Sequence, residues 1–151
     1  MRTINGLDEL RALAGQELGV SDWHEVTQEA VNAFADVTGD HQFIHVDVER
    51  ARQTPLGGTI AHGYYTLSLG PGLAAQVFDL QGVAMALNYG LDKVRFPATM
   101  PVGDRVRARV AVVAVDDIPG GAQVTFRYTF ERDGGDKPVC VADTLARFYT
   151  G

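Results

Sequence analysis

The chain has 151 residues, which is enough for one domain, residues 1–151, with a hydrophobic core of its own. A net charge of −6 argues against a general nucleic-acid-binding protein, and a single cysteine, Cys140, excludes an internal disulfide bond. Cys140 lies between two valines and is interpreted as a buried, unreactive thiol. A reducing cytoplasm is the expected compartment, because the N-terminal segment also lacks the apolar region of a secretory signal.

The N-terminal part of the chain predicts short helices. Leu7, Leu10 and Ala14 lie at helical spacing, which indicates an amphipathic helix. A second helix is predicted after Thr27, a residue type that caps helix N-termini. It is expected to end at Gly39, because glycine adopts the left-handed conformation found beyond many helix C-termini.

The middle of the chain, from Gln53 to Phe78, contains no Asp, Glu, Lys or Arg. Prolines and glycines interrupt it, so it does not offer the roughly 20 consecutive apolar residues that a membrane span requires. We therefore interpret it as a loop, TPLGGTIAHG, followed by a long helix, YYTLSLGPGLAAQVF, which is buried on nearly all sides. Pro71 is expected to kink this helix.

The remaining sequence predicts strands. VAMALNYG and DKVRF are read as two strands joined at a turn, and RVRARVAVVAV, QVTFRYTFE and KPVCVADTLARFY follow. RVRARVAVVAV and QVTFRYTFE alternate in the period of two that half-buried strands show. One buried helix and about five mostly antiparallel strands predict an α+β domain in which the sheet wraps round a long central helix, the hot-dog arrangement. Its open sheet edge predicts a homodimer.

A short polar segment, GDHQFIH, separates two apolar stretches and places an acid, Asp40, and a base, His45, five positions apart. A carboxylate and an imidazole that hold one water are suited to proton transfer. The alternatives are a solvated loop carboxylate for Asp40 and a core histidine with satisfied hydrogen bonds for His45.

The segment FADVTGDHQFIHVDVERA resembles the signature of the MaoC-like dehydratases, or (R)-specific enoyl-CoA hydratases. The residues that match are Phe34, Thr38, Gly39, Asp40, Ile44 and His45. TIAHG and NYGLDKVRFPATMPVGDRVRA resemble the next two blocks of the family in the same order, so the resemblance extends from about Trp23 onward. Spaced motifs in the right order are more specific than either motif alone.

The resemblance implies hydration of trans-2-enoyl-CoA to (R)-3-hydroxyacyl-CoA, or the reverse dehydration, on a coenzyme A or acyl-carrier-protein thioester. It implies that Asp40 takes and returns a proton of the bound water while His45 polarises that water. It requires no metal and no redox cofactor, since coenzyme A belongs to the substrate. The family has Asn-Pro where this chain has Gln42 and Phe43, so Gln42 is the expected amide beside the substrate.

Gly63 begins the predicted buried helix, where backbone N–H groups are free to bind a thioester oxygen as negative charge develops on it. Without a side chain, Gly63 is expected to let the ligand approach the backbone closely; a plain loop glycine is the alternative. His62 is expected to fix this loop by a hydrogen bond. Lys93 and Arg95 are candidates for binding the phosphates of coenzyme A, against the alternative of a solvated sheet face that also carries the arginines Arg105, Arg107 and Arg109.

A metal site is an alternative for this segment, because His41 and His45 have an H-x₃-H spacing. That spacing brings two ligands together only on a continuous helix. Gly39 ends the helix predicted after Thr27, so no metal is expected. His24 and His41 are read as surface residues. The fold also hosts other activities. An acyl-CoA thioesterase and a non-catalytic acyl-CoA-binding or scaffold subunit are therefore the rival functions.

Overall fold

The computed structural model describes all 151 residues. The strands are β1 (Arg2–Asn5), β2 (Glu17–Val20), β3 (His24–Glu25), β4 (Phe78–Gln81), β5 (Met85–Arg95), β6 (Arg105–Ile118), β7 (Gly121–Arg132) and β8 (Cys140–Tyr149). The helices are α1 (Gly6–Ala12), α2 (Gln28–Thr38), α3 (Phe43–Val46), α4 (Val48–Arg52), α5 (Gly63–Ser68) and α6 (Gly70–Ala74). None of these helices is long and apolar enough to cross a membrane.

The main sheet is antiparallel and has the strand order β2-β6-β7-β8-β5, with the short β3 also paired to β6. The alternation seen in the sequence sets its faces. Val124, Phe126, Tyr128 and Phe130 of β7 are all buried on the inner face, as their spacing predicts. A separate parallel pair, β1 with β4, lies outside this sheet. The predicted α+β hot-dog architecture is therefore confirmed.

The central helix is shorter than predicted and is broken. α5 ends at Ser68, α6 covers Gly70–Ala74, and Phe78, which was expected in the helix, begins β4. Pro71 has no N–H with which to continue the helical hydrogen bonds, so the break falls just before it. A Cβ on Gly70 would lie 2.9 Å from the ring of Tyr128, which shows how closely the broken helix packs on the inner face of the sheet.

Two further predictions about the elements were wrong. The two strands expected on either side of the NYG turn form one strand, β5, whose register shifts at Asn88/Gly90 and Leu91/Lys93 absorb the irregularity instead of a turn. Ala14 lies beyond the end of α1 and is exposed, because Leu13 fills the buried position. The helix caps were predicted correctly: Thr27 accepts the N–H of Ala30.

Candidate active site

The loop after α2 presents Asp40. Gly39 ends the helix with φ 79°, as predicted, and the chain then turns away from the helix axis. The main-chain carbonyl of Asp40 accepts a hydrogen bond of 2.9 Å from Nε2 of His62. The carboxylate itself remains half exposed, with Oδ2 4.0 Å from the same nitrogen. His62 thus holds the backbone at Asp40 while leaving its side chain free for a ligand or water.

His45 is buried, with 7% of its surface exposed, and lies in the one-turn helix α3. Its Nδ1 is 2.7 Å from the carbonyl oxygen of Ile60. Because a carbonyl only accepts, the proton of neutral His45 resides on Nδ1. Nε2 is therefore left as a hydrogen-bond acceptor, which is the state needed to polarise a water.

His62 stacks on His45, with ring centroids 3.8 Å apart and planes inclined by 23°. It is only 3% exposed. The bond from its Nε2 to Asp40 confirms the prediction that His62 fixes the loop. Ligand-type atoms of Asp40, His45 and His62 all lie within 4.8 Å of one another, so the fold brings the acid and the base of the GDHQFIH segment together.

A cleft of about 400 Å³ opens onto these residues. Asp40, His45 and Gly63 line it on one side, and the segment from Phe96 to Met100 forms the other wall. Half of its 14 lining residues are hydrophobic. Apolar walls that carry a few convergent polar groups are the usual form of a small-molecule site.

Gly63 is the first residue of α5, where the backbone N–H has no partner within the helix. Its environment differs in one respect from the prediction, which left the space beside the α-carbon to the ligand. A Cβ at this position would lie 2.9–3.0 Å from three ring carbons of Phe96. The glycine is therefore needed, in the first place, for the close packing of the Phe96 ring.

Gln42 does not reach the cleft, contrary to the prediction. It is exposed and precedes α3, and its side chain makes no capping bond. Only its backbone N–H approaches the site, 3.4 Å from Oδ1 of Asp40. The residue that replaces the family's asparagine thus supports the loop through its main chain.

The predicted phosphate-binding residues lie elsewhere. Lys93 and Arg95 line a second, smaller cleft with Arg127, Val141 and Asp143. The arginines of β6 are ion-paired: Arg107 and Arg109 contact Glu131, and Arg105 contacts Asp133. This arrangement matches the solvated sheet face weighed as the alternative for β6. A role of Lys93 and Arg95 in binding coenzyme A stays a prediction.

The other two histidines, His41 and His24, differ in their exposure to solvent. His41 is exposed as expected, and its pKa is raised chiefly by the hydrogen bond to Asp36. His24 is not a free surface residue: it is partly buried, and its Nε2 lies 3.1 Å from the hydroxyl of Tyr65.

Burial raises the pKa of the Cys140 thiol to about 12, which fits the unreactive thiol expected from the sequence.

Asp40, His45 and His62 are close enough together to be considered as ligands of one metal ion, but the orientation of the two rings does not favour such a site, and the absence of a metal stays a prediction. An ion bound to a histidine nitrogen lies in the plane of that ring, and the stacked rings of His45 and His62 have planes inclined by only 23°. Two such rings cannot direct their nitrogens at one ion. One nitrogen of each ring is already used, by Ile60 and by Asp40. The groups left free are the Asp40 carboxylate, Nε2 of His45 and Nδ1 of His62, which is buried without a hydrogen-bond partner. The first two are suited to a hydrogen-bonded water.

Sequence reasoning missed two residues behind the site. Gln28 donates to the carbonyl oxygen of His45 at 2.7 Å, and Thr59 donates to the side-chain carbonyl of Gln28 at 2.6 Å. Gln28 begins α2 directly after its cap. No local signal identifies such a pair, because the three residues are far apart in the chain.

Comparison with known proteins gives concordant results. Residues 9–132 match the family model for the MaoC like domain. The 3-hydroxyacyl-thioester dehydratase Z of Mycobacterium tuberculosis is 53% identical over 149 residues, covering 98% of this chain and 99% of that relative. Among solved structures, an Archaeoglobus monoamine oxidase regulatory protein has a TM-score of 0.81 at 25% identity, covering 100% of this chain and 99% of the other. An (R)-hydratase from A. caviae involved in PHA biosynthesis has a TM-score of 0.69 at 26% identity, covering 88% and 94%.

Proposed function

Because this chain belongs to the MaoC-like dehydratase family, we propose that it interconverts trans-2-enoyl thioesters and (R)-3-hydroxyacyl thioesters. At the level of its family it is a dehydratase or hydratase of 3-hydroxyacyl thioesters. The observation that carries the finer proposal is the meeting of Asp40 and His45 on one cleft, with Nδ1 of His45 bonded to Ile60 so that Nε2 is left as an acceptor. The (R) configuration is supported by the similarity to an (R)-hydratase.

In the proposed reaction, one water lies between Asp40 and His45. It donates one O–H to the carboxylate and the other to Nε2 of His45, so an oxygen lone pair faces C3 of the enoyl group. As the C3–O bond forms, Asp40 takes a proton from the water and then returns it to C2. The sum adds H and OH across the double bond, and dehydration is the reverse. Proton transfer of this kind contributes roughly 10²–10⁴-fold to the rate.

Negative charge develops on the thioester oxygen when the nucleophile attacks C3. The N–H of Gly63 faces this charge in the proposal, since it lies at the start of α5 and lines the same cleft. Gln42, the alternative donor considered from the sequence, is exposed and outside the cleft. No metal or redox cofactor takes part in this scheme, and coenzyme A or an acyl carrier protein enters only as part of the substrate.

Crotonyl-CoA distinguishes the proposal from its rivals. A hydratase removes the absorbance of the 2-enoyl thioester without releasing thiol. A thioesterase releases free coenzyme A, which a thiol reagent detects, and a binding or scaffold protein does neither. The proposal requires the first result, and chiral analysis of the product must give the (R)-3-hydroxy compound.

We also propose that the functional unit is a homodimer joined at β5. This strand is the open edge of the sheet and pairs only with β8. Its side chains Met85, Leu87, Tyr89 and Leu91 are large, apolar and exposed by 47–54%. A long apolar edge strand that is exposed to water favours pairing with a second chain. In a twofold dimer, the β5 strands of the two copies cover each other.

A further inference from the structure

The helix that carries His45 is too short to hold its own position. α3 has only four residues, and the N–H groups of His45 and Asp47 bond back to the carbonyls of Gln42 and Phe43. A single turn gains too few hydrogen bonds to be stable alone, and its last carbonyls have no partner inside the helix. The placement of His45 must therefore come from contacts with other elements.

Two of these contacts come from the loop before α5. The N–H of Ile60 donates to the carbonyl of Ile44 at 2.9 Å, and the carbonyl of Ile60 accepts from Nδ1 of His45 at 2.7 Å. They fix the ring of His45 and the backbone just before it. They leave the carbonyl of His45 itself without a partner from this loop.

Gln28 satisfies that carbonyl. Its Nε2 donates to the His45 oxygen at 2.7 Å and to Oδ1 of Asn32 at 2.9 Å, while its Oε1 accepts from Thr59 at 2.6 Å. The His45 carbonyl can only accept, so it fixes the orientation of the Gln28 amide with Nε2 toward it. The Thr59 hydroxyl, which can donate or accept, then donates to Oε1. Thr59 is 6% exposed, so its bond is shielded from water.

We propose that Gln28, oriented by Thr59, is a positioning residue for His45. It ties the backbone of α3 to α2 and to the loop before α5, so that Nε2 of His45 stays aimed at the water. Gln28 does not line the cleft and touches His45 only at the main chain. The inference rests on the proposed role of His45. It adds the hydrogen bonds of Gln28 that keep this histidine in place.

The first test replaces Gln28 and compares kcat with KM in the crotonyl-CoA assay. Gln28→Glu keeps the shape and the acceptor for Thr59 but sets an oxygen against the His45 carbonyl, and Gln28→Ala removes both contacts. We expect kcat to fall by roughly 10- to 100-fold in each, as for a reacting group displaced by about 1 Å, with KM changed less than about threefold. Asn32→Ala is the matched control, because it removes only the outer partner of the same amide, and it should retain wild-type kcat. A folded Gln28→Glu protein with wild-type kcat overturns the proposal.

The second test uses Thr59, which would act only through Gln28. Thr59→Val should lower kcat and Thr59→Ser, which keeps the hydroxyl, should restore it. In the Gln28→Ala background, Thr59→Val should cost nothing further, because the interaction is already lost. Independent, additive losses would show general destabilisation and contradict the proposal.

A His45→Gln background separates this inference from the proposed function. If His45→Gln lowers kcat and Gln28→Ala adds no further loss to it, Gln28 acts through His45. If His45→Gln lowers kcat but Gln28→Ala leaves the wild-type enzyme unaffected, only the positioning role fails. If His45→Gln itself has no effect, the proposed function fails.

Discussion

Replacement of Gly63 by alanine tests how the start of α5 meets the substrate. The new methyl carbon would lie 2.9–3.0 Å from three ring carbons of Phe96, whereas carbon atoms in contact are ordinarily about 3.5–4.0 Å apart. The ring must therefore retreat by roughly 0.5–1 Å. Phe96 is 43% exposed and has room to move.

The expected cost in stability is small because two effects oppose each other. Overpacking typically costs about 1–3 kcal/mol, and removing a glycine from a helix returns roughly 0.5–1 kcal/mol. We expect a net loss of about 0–2.5 kcal/mol, measured by urea unfolding. Gly72→Ala is the control, since a Cβ there meets nothing within 4 Å, and it should not lower stability.

The KM for crotonyl-CoA should show whether the Phe96 ring has moved. Gly63→Ala keeps its N–H, so kcat should change little, while the displaced ring on the cleft wall should raise the KM for crotonyl-CoA several-fold. Adding Phe96→Leu, which removes the ring, should return KM toward the wild-type value. An unchanged KM in the single variant, or no recovery in the double variant, would refute this reasoning.

Three further predictions follow from other contacts. Leu87→Asp on the exposed face of β5 should lower the mass in light scattering from twice 16.3 kDa to 16.3 kDa; a wild-type mass of 16.3 kDa would exclude the dimer. Incubation with EDTA should leave crotonyl-CoA hydration unchanged, and a loss that added metal reverses would show a metal site. The hydrogen bonds from Arg109 and Arg107 hold the pKa of Glu131 in the folded protein below its usual value. The folding free energy that these bonds contribute is fully present above the pKa of Glu131 in the unfolded chain, about 4.3. It is lost as the pH falls through the pKa of Glu131 in the folded protein. The difference in unfolding free energy between wild type and Glu131→Gln should therefore shrink from pH 7 to lower pH, and a constant difference would be the contrary result.

The sheet was the most predictable part of the fold because side chains alternate between its two faces. The pattern of β7 alone identified four buried residues correctly. The boundaries of β5 were not predictable in the same way. Asn88 and Gly90 resemble a turn in the sequence, but the hydrogen bonds to β8 on both sides of them are stronger determinants than the local preference. A register shift then accommodates the glycine within one strand.

The candidate site was predictable only as far as local sequence and the family resemblance reach. Asp40 and His45 share one segment, so a single motif named both. The bond from His62 to Asp40 and the bond from Gln28 to His45 join residues 22 and 17 positions apart. Such contacts are set by how the helices and the loop pack together, and no spacing rule for a single helix or strand specifies them.

The error at Gln42 has a related cause. The resemblance assigned this residue by position to the amide beside the substrate, but Gln42 stands at the N-cap of α3 with φ −55° and ψ 137°, and its side chain is exposed. A position in a motif fixes the backbone more firmly than it fixes the direction of a longer side chain.

The central claim is that one water held by Asp40 and His45 carries out the reaction, and the turnover of crotonyl-CoA by Asp40→Asn and His45→Gln tests it most directly. Both substitutions keep the size of the side chain nearly unchanged, and circular dichroism can verify that the proteins remain folded. We predict that each lowers kcat by roughly 10²-fold or more, with a smaller change in KM. A folded variant of either residue that retains near wild-type kcat would contradict the account.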